Sequence, residues 1–129
     1  MPAARDLETL IVDDQRSVRV LIRSCLKEMG IERVVEAEDG LEALQVLSTT
    51  RKHLILSDLN MPNLDGLGLL RAVRNNPATA KTAFIMLTSR ADTELVRQAV
   101  ALGVNNYIVK PFTMDALRRK ITAVFGQLT

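Results

Sequence analysis

The sequence predicts an α/β fold in which five parallel strands and five helices form an open, doubly wound sheet. Short apolar runs alternate five times with longer segments of helical spacing. The apolar runs lack the polar–apolar alternation of strands with one wet face, which is typical of strands covered on both faces. Because parallel strands need crossovers, and right-handed crossovers place helices on both faces, this order predicts a doubly wound sandwich. The 129 residues leave room for one domain.

The five predicted strands are aliphatic, as expected for a chain with only 3% aromatic residues. They are Leu10-Ile11-Val12, Val34-Val35, Leu54-Ile55-Leu56, Phe84-Ile85-Met86-Leu87 and Tyr107-Ile108-Val109.

Each predicted helix has one apolar face and, in three cases, a recognisable end. Gly30 and Gly103 are expected to cap the first and fourth helices, and Thr113 to open the fifth. The apolar faces are Val18, Leu21, Ile22, Cys25 and Met29; Leu41, Leu44 and Leu47; Leu67, Leu70 and Val73; Leu95, Val96, Ala99 and Leu102; and Leu117, Ile121, Val124, Phe125 and Leu128.

Composition excludes several classes of protein. The single cysteine, Cys25, excludes an internal disulfide framework and a multi-cysteine zinc site. No apolar run approaches the roughly 18 residues of a membrane span, and the first residues lack the apolar core of a signal peptide. We therefore expect a soluble, cytoplasmic domain that does not bind membranes.

Polar side chains follow four of the predicted strands, at the edge where doubly wound sheets bind ligands. They are Asp13-Asp14, Asp58, Thr88-Ser89 and Lys110-Pro111. Three carboxylates at close range raise one another's pKa, a conflict that a divalent cation relieves. An all-oxygen donor set without thiol or imidazole favours Mg²⁺. Lys110 is expected to pair with Asp58 or with a phosphate placed there.

With these residues in view, the chain resembles the bacterial response-regulator receiver domains, and among them the single-domain chemotaxis regulators. The matching segments cover essentially the whole chain: Ile11-Val12-Asp13-Asp14, Asp58-Leu59-Asn60-Met61-Pro62-Asn63-Leu64-Asp65-Gly66, Met86-Leu87-Thr88-Ser89 and Tyr107-Ile108-Val109-Lys110-Pro111-Phe112-Thr113. The resemblance implies a flavodoxin-like (βα)5 fold with strand order 2-1-3-4-5. It also implies that residues 1–129 are a single receiver domain without an output domain.

The resemblance also implies a role for each rim residue. Asp58 matches the carboxylate that is phosphorylated, and Asp14, Asp58 and the backbone carbonyl of Asn60 match Mg²⁺ ligands, with Asp13 acting mainly through water. Lys110 matches the lysine that contacts the phosphoryl group. The resemblance further implies that the peptide bond between Lys110 and Pro111 is cis.

Two further residues match the family's switch. Thr88 matches a hydroxyl that moves onto the phosphate, and Tyr107 an aromatic that changes rotamer in response. Two positions depart from the best-known enteric chemotaxis proteins: Leu59 replaces an aromatic residue, and Arg90 an acidic one. Asn60 and Arg90 are expected to tune dephosphorylation, and the identity of any phosphatase partner is left open.

The function that the resemblance implies is a monomeric phospho-accepting switch rather than an enzyme. A histidine kinase would donate the phosphoryl group, and the phosphorylated form would bind the flagellar motor switch through helix 4, strand 5 and helix 5. The alternative is a phosphorelay intermediate or kinase-binding regulator without motor contact.

Other functions fit the residues less well. An aspartyl-phosphate phosphatase of the haloacid-dehalogenase type needs a second aspartate as general acid, where this chain has Asn60. An FMN binder would offer hydroxyls and amides after strand one, whereas Asp13-Asp14 would repel a phosphate. His53 is expected at the opposite edge of the sheet in a structural role.

The net charge of +2 is unevenly distributed. Residues 90–129 carry six basic and three acidic side chains, a local net charge of +3. The basic run Arg118-Arg119-Lys120 lacks the interleaved aromatics of a nucleic-acid site, so we expect a protein partner, an acidic and helical peptide.

Overall fold

The computed structural model describes residues 3–89 and 93–129, in which five strands and five α-helices alternate. The strands are β1 (Thr9–Val12), β2 (Val34–Ala37), β3 (Leu54–Asp58), β4 (Ala83–Ser89) and β5 (Asn106–Lys110). The helices are α1 (Arg16–Glu28), α2 (Gly40–Thr49), α3 (Gly66–Asn75), α4 (Thr93–Ala101) and α5 (Met114–Phe125). A short 3-10 turn, Ala4–Asp6, precedes β1. No helix in the described ranges is long and apolar enough to span a membrane.

The strands form one sheet in the order β2-β1-β3-β4-β5, and every neighbouring pair is parallel. This confirms the doubly wound sheet and the strand order that the resemblance implied. The chain winds outward in both directions from β1 and β3, so the carboxyl ends of these two central strands meet at the point where the winding reverses.

Two apolar layers cover the sheet, because successive residues of a strand point to opposite faces. Ile11 lies in the layer beneath α1 and α5, whereas its neighbour Leu10 lies in the layer beneath α2, α3 and α4. The central strands β1 and β3 are buried along their whole length. They are the rigid elements that support the candidate site.

The expectation that all strands are covered on both faces is wrong for the two edge strands. Val35 in β2 and both Tyr107 and Val109 in β5 are 37% exposed. β2 and β5 are the edges of the sheet, and each has only one neighbouring strand, so part of its surface stays open to solvent.

Two residues placed on apolar helix faces are also exposed. Leu21 is 44% exposed because its neighbour Ile22 occupies the buried side of α1, about 100° around the helix. Leu41 is 53% exposed in the first turn of α2, where Ala43 faces the sheet instead.

The predicted helix ends are confirmed. Gly30 and Gly103 have φ of 85° and 91°, values that favour glycine. Thr113 precedes α5, and its hydroxyl accepts a hydrogen bond from the Ala116 amide at 3.0 Å. The fifth helix ends at Phe125, so Leu128 lies beyond it but still packs against the α1 and α5 layer.

Candidate functional site

Three carboxylates meet at the carboxyl ends of the central strands. Asp13 and Asp14 follow β1 directly, and Asp58 is the last residue of β3. One oxygen from each carboxylate lies within 4.8 Å of the others. Asp13 is 0% and Asp58 9% exposed, whereas Asp14 is exposed to solvent. The sequence-predicted cluster is therefore assembled, with an open side at Asp14.

Lys110 lies against two of these carboxylates. Its Nζ is 3.0 Å from Oδ2 of Asp13 and 3.2 Å from Oδ1 of Asp58. The pairing with Asp58 was expected, and the pairing with Asp13 was not. The Lys110–Pro111 peptide is cis, as the resemblance implied. One ammonium thus bridges the ends of β1 and β3 from the end of β5.

Backbone amides orient the two buried carboxylates. The Gln15 amide donates to Oδ1 of Asp13, and the Leu59 amide donates to Oδ1 of Asp58, both at 2.9 Å. Behind Asp58 the chain passes very close to the start of α3, where a Cβ on Gly66 would overlap the Asp58 carbonyl oxygen and lie 2.8 Å from Sδ of Met86. Glycine is required there by space.

Burial is the main cause that raises the pKa of Asp58, and the neighbouring Asp13 charge raises it further, while Lys110 opposes both. The pKa of Lys110 is also raised: burial opposes its charge, but the hydrogen bond to Asp13 and the charges of both aspartates outweigh that effect. The cluster thus holds three carboxylates, and Lys110 pairs with two of them. This donor set consists of oxygens only and fits a divalent cation.

The loop after Asp58 is tied to the start of α2. Asn60, exposed, lies two residues after Asp58. Further along, Asn63 adopts a φ of 68° and donates from Nδ2 to Oδ2 of Asp39, at 2.7 Å. Asp39 also caps α2, so this contact restrains the loop that carries Asn60.

The two residues matched to the switch lie on β4 and β5. Thr88 is 1% exposed, and its hydroxyl donates to the Ser89 carbonyl at 3.1 Å. Tyr107 is 37% exposed, and the Lys120 ammonium lies 5.4 Å from the centre of its ring. Arg90, predicted to tune dephosphorylation, lies outside the described residues.

His53 and Cys25, which the sequence analysis assigned to structural roles away from the acidic cluster, both lie away from it. His53 precedes β3 at the opposite edge, and its Nδ1 accepts a hydrogen bond from the Glu8 amide at 2.9 Å. Cys25 is 2% exposed in the α1 and α5 layer, where burial raises the pKa of its thiol.

One residue at the site was missed by the sequence analysis. Arg19 of α1 donates from Nη1 to the backbone carbonyl of Asp13, at 2.7 Å. An arginine about one turn into a helix that follows two aspartates was a usable signal, but helical spacing alone does not say which carbonyl a guanidinium reaches.

Comparison with known proteins agrees with this geometry. The model of the response regulator receiver domain matches residues 9–122. A protein of Rhizobium etli named "Probable chemotaxis protein CheY" is 44% identical over 128 residues, covering 99% of both chains. The chemotaxis protein CheY of Pseudomonas aeruginosa is 37% identical over 122 residues, covering 95% of this chain and 98% of that protein.

Solved structures agree as well. The chemotaxis response regulator CheY4 of Vibrio cholerae has a TM-score of 0.85 at 34% identity, covering 92% of this chain and 98% of the other. The receiver domain of the sensor histidine kinase PA1611 from Pseudomonas aeruginosa, solved with a magnesium ion in its active-site cleft, has a TM-score of 0.83 at 29% identity, covering 93% and 98%. With the acidic cluster, Lys110 and the strand order all in agreement, the chain belongs to the response-regulator receiver domain family, and its relatives include chemotaxis proteins of the CheY type.

Proposed function

We propose that this receiver domain accepts a phosphoryl group on Asp58 from the phosphohistidine of a histidine kinase. Asp13, Asp14, Asp58 and the backbone carbonyl of Asn60 would hold the Mg²⁺ ion that assists the reaction. The observation that carries the proposal is the position of Asp58, nearly buried between a second buried carboxylate and the Lys110 ammonium.

The transfer is a displacement at phosphorus. A carboxylate oxygen of Asp58 forms a bond to the phosphorus atom, the phosphorus–nitrogen bond of the phosphohistidine breaks, and the imidazole leaves as its neutral form after taking up a proton. Such transfers depend mainly on positioning and charge neutralisation. A bound Mg²⁺ ion would supply positive charge next to the phosphoryl oxygens. Lys110, 3.2 Å from Asp58, is close enough to donate to one of them.

The residues around Asp58 favour a phosphoryl group that persists as a signal. A phosphatase of the aspartate type needs a carboxylic acid two residues later to protonate the leaving group, and this position is Asn60. Loss of the phosphoryl group would then depend on water, with Asn60 and Arg90 tuning its access, or on a separate phosphatase.

The response to phosphorylation would pass through Thr88 and Tyr107. A phosphoryl group brings three acceptor oxygens to the end of β3. The Thr88 hydroxyl would exchange its bond to the Ser89 carbonyl for one of these oxygens. That movement would make room behind it for Tyr107, whose ring is partly exposed on β5 in this structure.

The surface formed by α4, β5 and α5 would carry the target protein. Val100 is 59% exposed, and Tyr107 and Val109 point to the same side of β5. Basic side chains accompany them, with Arg97 79% exposed and Lys120 over the Tyr107 ring. An apolar surface with basic neighbours suits an acidic, helical segment, and the flagellar motor switch is the target we favour.

Phosphorylation is tested by incubating the protein with acetyl phosphate and Mg²⁺ and measuring its mass. We expect a gain of one phosphoryl group in the wild type and none in the Asp58→Asn variant. No gain, or a gain that survives the substitution, contradicts the proposal.

The target is tested separately by capture of the phosphorylated protein with motor-switch and kinase proteins in competition. Preferential capture of the motor-switch protein, at a rate that falls as salt rises, supports motor binding. Capture by the kinase alone favours the phosphorelay or kinase-binding alternative.

A further inference from the structure

Arg19 places a buried positive charge directly behind the acidic cluster. The residue lies on α1 and is 8% exposed. Nη1 donates to the Asp13 carbonyl at 2.7 Å, while Nε donates to Oε1 of Glu36 in β2 at 2.8 Å. The planar guanidinium thus joins the end of β1 to the neighbouring edge strand through two differently directed bonds.

The carbonyl that Arg19 holds belongs to the peptide group between Asp13 and Asp14. Both residues contribute carboxylates to the cluster. The strand β1 ends at Val12, so this carbonyl lies beyond the last residue of the strand. Holding the carbonyl sets the orientation of the peptide plane, and the plane sets the directions in which the two side chains leave the backbone.

Glu36 secures the guanidinium in that position. Burial opposes the charge of Glu36, but hydrogen bonds from Arg19 and Arg23 outweigh it and lower its pKa. A buried guanidinium is costly unless it is paired and hydrogen-bonded, and Arg19 meets both conditions. These contacts hold the guanidinium between Glu36 and the Asp13 carbonyl.

We propose that Arg19 is a positioning residue that orients the Asp13–Asp14 peptide and thereby strengthens cation binding at the carboxylate cluster. The inference rests on the proposed Mg²⁺ site. It identifies a side chain that touches neither the cation nor the phosphoryl group but determines how well two of the ligands are aligned.

Positioning and simple electrostatics predict opposite results when Arg19 is removed. The charge of Arg19 repels a cation, so its loss would tighten binding if charge alone mattered. If the main role is orientation, its loss weakens binding, as changes behind metal ligands typically do by roughly 10- to 100-fold. The sign of the change separates the two roles.

Arg23 provides a matched control. It makes the same 2.8 Å contact with Glu36, and it also donates at 3.3 Å to the Val34 carbonyl, which lies in β2 and not in the cluster. Arg19→Gln and Arg23→Gln therefore remove the same charge and the same kind of contact with Glu36. The first also removes a 4.0 Å ion pair with the exposed Glu38, and only the first releases the Asp13 carbonyl.

The experiment is a calorimetric titration of the metal-free full chain with MgCl₂ at constant pH and ionic strength. We expect binding at least roughly tenfold weaker in Arg19→Gln and changed by less than about twofold in Arg23→Gln. Arg19→Lys keeps the charge but lacks the planar guanidinium whose Nε and Nη1 bond in two set directions, so it should also bind Mg²⁺ more weakly. It replaces Arg19→Gln if urea unfolding shows that variant to be unfolded.

Backbone amide spectra of the metal-free proteins provide a second readout. Signals of Asp14 and Gln15 should shift in Arg19→Gln and stay in place in Arg23→Gln. Unchanged or tighter Mg²⁺ binding in the Arg19 variants overturns the inference while the proposed function stands. A wild type that binds no Mg²⁺ overturns both.

Discussion

Replacing Lys110 by Met tests the charge balance of the acidic cluster directly. Lys110 is the partner of Asp13, whose side chain is 0% exposed, and of Asp58, whose side chain is 13% exposed. Methionine keeps much of the volume but leaves two buried carboxylates facing each other. Removing one partner of a buried ion pair costs about 3 to 5 kcal/mol. Because the Lys110 side chain is itself 24% exposed, we expect the low end, about 3 kcal/mol.

The assay is urea unfolding of the metal-free protein at pH 7. Thermal unfolding supports it, because a loss of about 3 kcal/mol in the free energy of unfolding lowers Tm by roughly 10 °C in a domain of this length. The matched control is Lys81→Met at an exposed lysine, which should change the free energy of unfolding by less than about 0.5 kcal/mol. Added Mg²⁺ should restore part of the stability of the Lys110 variant, since the proposed Mg²⁺ site exists only in the folded state. A Lys110→Met protein as stable as the wild type without metal would refute the reasoning.

Three further predictions concern the framework of the site. Gly66→Ala should cost about 1 to 3 kcal/mol in urea unfolding, because the new Cβ meets the Asp58 carbonyl oxygen. A Gly66→Ala protein as stable as the wild type would contradict this steric cause. Burial raises the pKa of Glu36, but its arginine partners outweigh this and lower the pKa overall. The wild type should therefore be more stable than Glu36→Gln at pH values above the ordinary pKa of 4.5, and should lose this advantage as the pH falls through the lowered pKa. A stability difference between the two proteins that does not vary with pH would exclude this linkage. Thr113→Ala should cost about 1 kcal/mol through loss of the α5 cap, with Thr113→Ser close to wild type by thermal unfolding.

Neighbouring residues show where sequence reasoning succeeds and fails. Ile22 and Leu21 both fit an apolar helical face, yet Ile22 is 0% and Leu21 44% exposed. The helical period predicts that a face is buried but not how wide the buried face is, because the width depends on which elements lie opposite. Val35 and Tyr107 illustrate the same limit in strands, since only the sheet order reveals that β2 and β5 are edges.

The sequence by itself determined the order of elements, the caps at Gly30 and Thr113, and the placing of Asp13, Asp14, Asp58 and Lys110 at one edge. These properties follow from local periodicity, backbone preference and the rule that parallel strands end together. The tertiary structure alone decided that Lys110 bridges Asp13 as well as Asp58, and that Arg19 holds the Asp13 carbonyl. Asp13 and Lys110 are 97 positions apart. Their 3.0 Å contact depends on strand register and side-chain direction, which are set only when the whole sheet has packed.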